Sequence, residues 1–191
     1  MIRLAARSSR GTALAEVIAV AAALSALGGN AFTGAKSAAH KGTCEANLKQ
    51  LGAALKMYAL ENNGKLPTAV FYPGAKAKTD PKSIRKQLSS YVKSEDAFTC
   101  PGAPSGLNKN GLSYLWNDSL NGASLRRVPN ASSTWMLVDA TAAATAIDSK
   151  TAAAKKINLK AIPPAHVGGY NILYADGHVG FSKKAPKITV K

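Results

Sequence analysis

The chain has 191 residues, 46% of them hydrophobic and 18% charged, with 25 Lys and Arg against 10 Asp and Glu and a formal net charge of +15. That length holds an anchor segment and one globular domain, and because alanine supplies much of the apolar content the core is small. Basic doublets such as Arg126 with Arg127, Lys155 with Lys156 and Lys183 with Lys184 are few and scattered. No nucleic-acid-binding motif is present, so the charge reads first as solvated surface and second as attraction for a polyanion such as DNA.

Three arginines, Arg3, Arg7 and Arg10, precede the segment 11–32, GTALAEVIAVAAALSALGGNAF, an apolar run broken by one charge, Glu16. As a helix, residues 12–27 reach about 24 Å, short of the ~30 Å hydrocarbon core of a bilayer. Extension to Phe32 supplies the length but takes in Gly28, Gly29 and Asn30. A secretory signal peptide fits the basic start and the apolar run, with cleavage near residues 29–31, although a glutamate is foreign to such a core. Arg-rich leader, Gly11, a short gap, Glu16 and an apolar helix resemble the N-terminus of type IV prepilins and type II secretion pseudopilins. The resemblance implies cleavage by a prepilin peptidase between Gly11 and Thr12 and methylation of the new amine. It also implies an assembly role for Glu16, pairing with the amine of a neighbouring subunit, where low dielectric strengthens the attraction. Thr12 departs from the Phe or Met usual at the first mature position. Cleavage there would remove three arginines and leave +12.

Residues 34–43 are small and polar and either continue that helix or interrupt it. Cys44, Leu48, Leu51, Leu55 and Tyr58 recur at helical spacing, and Asn63 with Gly64 ends the helix. Residues 65–79 form a loop. Asp80 and Pro81 start a short second helix, with Asp as N-cap, whose apolar stripe is Ile84, Leu88 and Tyr91. Residues 98–101 are a brief extended piece and 102–111 a loop. Residues 112–116 read as a strand, 129–133 as a turn and 134–139 (TWMLVD) as the strongest strand. Residues 140–154 leave helix and loop undecided, and Pro163 with Pro164 marks a break. In 169–182, Asp176 and Gly177 supply the type I′ turn of a hairpin that sets Tyr174 opposite Val179 and Ile172 opposite Phe181. Ile188 and Val190 offer a last edge strand. The expected fold is α+β and pilin-like: a long N-terminal hydrophobic helix, then a small globular domain with an antiparallel sheet. Its divisions are a leader (1–11), a membrane or filament-core helix (12–33) and the globular domain (34–191).

His166 and the Asp176–Gly177 pair are separated by nine intervening residues, a spacing similar to the processing-associated motif that closes many prepilin-like proteins. CEANLKQLGAALKMYALENNGKLP, FTCP, SYLWN and LRRVPNASSTWMLVD resemble that group's segments in the same order. In an exported domain Cys44 and Cys100 meet an oxidising compartment that favours a disulfide, and this is a better use of Cys100 than a nucleophile pair with His166. Asp139, His166, Asp176 and His178 are candidate ligands for a divalent cation such as calcium or a transition metal. Asp176 equally serves its turn, and His166 a backbone hydrogen bond. No resident cofactor is otherwise expected, and no nucleophile elbow, phosphate loop or zinc-protease pair marks an enzyme. The resemblance implies a structural subunit, held in the inner membrane and then assembled with copies of itself into a periplasmic or extracellular filament. The alternative is a tethered or secreted basic module, such as a DNA-binding minor pilin.

Overall fold

The computed structural model describes the backbone of residues 10–139 and 165–186, and the side chains of residues 34–139 and 165–186. The order is α1 (Arg10–Glu61), α2 (Ile84–Leu88), α3 (Ser105–Asn110), β1 (Tyr114–Trp116), β2 (Trp135–Asp139), β3 (Tyr170–Tyr174) and β4 (Val179–Ser182), with short 3-10 turns between them. The strands form one antiparallel sheet in the order β1-β2-β3-β4. The class is therefore α+β.

The expected long hydrophobic helix is corrected. Residues 12–33 are not a separate apolar helix but part of the 52-residue α1. Among the described residues no helix is long and apolar enough to cross a membrane. The physical reason is visible from Gly34 onward, where Lys36, Lys41, Glu45, Lys49, Lys56 and Glu61 put a charge on almost every turn. The polar stretch 34–43 continues the helix, and so do Gly28, Gly29 and Asn30. Contacts divide the chain into two units, Met1–Ala38 and Ala39–Lys191.

In the second unit, α1 lays the expected face on the core. Cys44, Leu48, Leu51, Ala54 and Leu55 are buried there, and Tyr58 packs at the margin. The helix approaches β3 closely: a Cβ on Gly52 would lie 2.9 Å from Leu173 Cδ1. Asn63 and Gly64 take positive φ and end the helix. β2, central and buried at every position, is the apolar run read from the sequence. It carries a bulge between Trp135 and Leu137 against β3, a feature that increases the local twist of a strand.

Four local expectations change. α2 begins at Ile84 rather than at Pro81, because Asp80 Oδ1 accepts from Lys82 N in a separate turn and its carbonyl accepts from Ser83 N. Residues 95–98 form a 3-10 turn capped by Ser94, which takes Phe98 out of the stretch predicted to be extended, while Thr99 is extended. Residues 105–110, read as loop, form α3, whose one buried apolar residue is Leu107. The hairpin pairs Leu173 with Val179 and Ile172 with Gly180, and Asn171 lies opposite Phe181. Gly177 N donates to Tyr174 O and Tyr174 N to His178 O. That is a type I turn closed by a left-handed residue, and Gly177 with φ 98° fills it at no steric cost. One more loop residue than in a type I′ turn moves the register by one.

The undecided stretch 140–154, Pro163, Pro164, the basic pair Lys155 and Lys156, the proposed edge strand at Ile188 and Val190, and leader residues 1–9 lie outside the described residues. Gly11, Thr12 and Glu16 lie in α1, and their side chains are likewise outside the description.

Candidate functional site

Cys44 opens the buried face of α1, and Cys100 follows the 3-10 turn 95–98. The two form a disulfide with Cα atoms 5.0 Å apart. Asn47, one turn after Cys44, secures the same junction: its Nδ2 donates to the carbonyls of Asp96 at 3.2 Å and Thr99 at 2.8 Å. These bonds tie the second turn of the buried face to the irregular 95–100 segment.

His166 arrives from the far side of the sequence. Gly169 N donates to the His166 carbonyl, closing a tight turn that leads into β3 and leaves Val167 exposed. The turn holds the imidazole inward. Its Nε2 lies 3.1 Å from Asp139 Oδ2 and 3.4 Å from Cys100 Sγ. Asp139 is the last residue of β2, and the Asn171 amide on β3 also donates to its Oδ2, at 3.0 Å. With the Asp139 carboxyl ionised, which can only accept, Nε2 is the donor in this contact. Asn171 Nδ2 in turn donates to Lys41 O on α1, at 3.3 Å. One chain of polar contacts thus joins α1, the disulfide, β2 and β3.

The cluster is dry. The side chains of His166 and Asp139 are 2% and 0% exposed, and Cys44 and Cys100 are fully buried. Burial pushes the Asp139 carboxyl above the usual carboxylate range, with His166 and the Asn171 amide pulling the other way without cancelling it. Its second oxygen, Oδ1, finds no hydrogen-bond partner among the described residues. Neighbouring Tyr114 is raised, first by burial and then by the Asp139 charge. Gly102 is required by close approach here, since a Cβ on it would sit 2.6 Å from His166 Cε1.

The four candidate metal ligands separate into two pairs. Asp139 and His166 meet in the interior. Asp176 and His178 meet at the exposed hairpin tip, where Asp176 Oδ1 accepts from the His178 amide at 3.0 Å and lies 2.7 Å from its ring Nδ1. Those bonds, the backbone one first, hold the Asp176 carboxyl below its ordinary range, and the ring of His178 stacks on Tyr174 at 4.4 Å between centroids. Among the described residues the only set of three or more Cys, His, Asp or Glu donors within mutual ligand reach is Cys44, Cys100 and His166. Cys100 therefore has both partners weighed from the sequence: it is bonded to Cys44 and rests against His166. The role of Asn47 and Asn171 was not read from the sequence; buried asparagines beside a helix cysteine and inside an apolar strand were the available signal. The basic residues Arg126, Arg127, Lys183 and Lys184 are exposed. No family model, curated protein or solved structure matches the chain.

Proposed function

We propose that this protein is the structural subunit of a type IV pilus-like or type II secretion pseudopilus filament, processed after Gly11 and assembled through its N-terminal helix. The observation that carries the reading is the extent of α1. It begins at Arg10, beside the Gly11–Thr12 junction, and continues without interruption to Glu61. Its first part belongs to a contact unit separate from the globular domain, and the sequence of that part is the apolar run around Glu16. An apolar run gains on the order of 25 cal/mol per Å² of its surface when copies of the chain cover it. A single buried acid in such a bundle needs a positive partner, and a free amine at Thr12 supplies one.

The disulfide supports the same reading. It fixes the C-terminal half of α1 to the sheet domain, and because such bonds persist in oxidising compartments it suits a subunit that works outside the cytoplasm. The test is assembly of a Glu16→Ala variant in the native host, viewed by negative-stain electron microscopy. The expected result is loss of filaments with the folded domain still present. Filaments as abundant as those of the parent would overturn the proposal.

A further inference from the structure

The interior cluster has more donors than a disulfide and a hydrogen-bonded pair require, and we infer that the reduced protein holds one zinc-like divalent ion between Cys44, Cys100, His166 and Asp139. In the oxidised chain both sulfurs are committed to each other. A dithiol reductant changes that. It delivers two electrons and two protons to the sulfur–sulfur bond, which opens to two thiols while the reductant closes to its own disulfide. Zinc then displaces the two thiol protons to solvent. The imidazole proton moves from Nε2 to Nδ1, so that the Nε2 lone pair faces the ion.

The geometry suits this before anything moves far. Bonds of about 2.0–2.3 Å to N, O and S in a tetrahedral site put neighbouring donors roughly 3.3–3.8 Å apart. Cys100 Sγ lies 3.4 Å from His166 Nε2, and the two sulfurs and an imidazole nitrogen lie within 4.8 Å of one another; Asp139 Oδ2, 3.1 Å from Nε2, stands outside that set and fills the fourth position by turning toward the sulfurs. The four segments that supply the donors are each held in place: α1 and the 95–100 segment to one another by Asn47, β2 by pairing on both edges, and His166 by its turn. Asp139 Oδ1, buried without a partner among the described residues, marks the carboxylate as the group with capacity to spare. Two sulfurs and an imidazole favour a borderline-soft ion such as zinc and disfavour calcium, which takes oxygen ligands. The site exists only in the reduced chain, so it precedes the bridge rather than competing with it.

The test uses the full-length protein, reduced with dithiothreitol, freed of reductant under anaerobic conditions and titrated with cobalt(II) as a spectroscopic stand-in for zinc. Expected are one cobalt per chain, the sulfur-to-cobalt charge-transfer and intense visible absorption of a tetrahedral site, and displacement by one equivalent of zinc. The oxidised protein should give none of these. His166→Ala and Asp139→Asn should each weaken binding at least about tenfold, while His178→Ala leaves it unchanged. Absence of the tetrahedral spectrum, or parent-like binding by His166→Ala, overturns the inference. Should the reduced chain unfold in chelator, zinc must restore its native far-ultraviolet circular dichroism, since metal binding then supplies folding free energy; failure to do so equally overturns it.

Discussion

Replacing His166 with alanine removes the side chain that faces Asp139 in the interior. The carboxylate stays behind, 0% exposed at its side chain, with the Asn171 amide as its remaining donor. Breaking a buried pair by deleting one partner costs roughly 3–5 kcal/mol. The surviving amide bond places this case near the lower end, about 3 kcal/mol, against a total of ~5–15 kcal/mol for a typical domain. A domain of this size then melts some 6–12 °C lower, at roughly 2–4 °C per kcal/mol. Urea unfolding with the disulfide intact and chelator present reads the loss directly, followed by the fluorescence of the buried Trp116 and Trp135. Asp139→Asn removes the charge that the deletion strands. The double variant should therefore lose less than the sum of the two single losses, with a coupling of at least ~1 kcal/mol. A His166→Ala cost under about 1 kcal/mol, or strict additivity, would refute the view that these two residues act as one unit.

Opening the Cys44–Cys100 bridge by Cys44→Ala with Cys100→Ala frees a loop closed over a separation of 56 residues, worth about 4 kcal/mol in the chain-entropy model; urea unfolding checks this, with a lower extrapolated stability and an m-value equal to or above the parent's as the unfolded chain expands. The raised Asp139 carboxyl gives a signed pH effect. The folded chain keeps that proton to higher pH than the unfolded one, so its contribution is full below the ordinary carboxylate range and is lost as pH rises through the folded value. Asp139→Asn should flatten that part of the stability curve, and an unaltered curve would count against the assignment. Gly102→Ala drives a methyl into the His166 ring and should cost about 1–3 kcal/mol, measurable in the same urea titration and predicted to vanish in a His166→Ala background.

Local signals were readable where one interaction dominates. The Cys44 to Tyr58 stripe placed the packed part of α1, and the run 134–139 placed the central strand, because burial on one face or on both leaves a period that residues display in order. The hairpin was readable but its register was not, since Asp with Gly serves a type I turn with a left-handed closing residue as well as a type I′ turn. α3 carries one buried apolar residue, Leu107, too few to show a helical period. Residues 34–61 carry charge beside their apolar stripe, so the helix runs on past the apolar segment without a break that the composition would mark. The contact between Asp139 and His166 joins residues 27 apart, and no local pattern encodes which acid a distant imidazole will meet. Both residues were legible as candidates; their union with the disulfide depends on how β2, β3 and α1 close on one another.

The filament assignment stands or falls most directly on the first residue of the protein purified from its native source. Intact-mass and peptide spectrometry should find a chain that begins at Thr12 with a methylated amine. A chain beginning at Phe32, as an ordinary signal peptide leaves it, or one that keeps Met1 in the assembled form, would contradict the account.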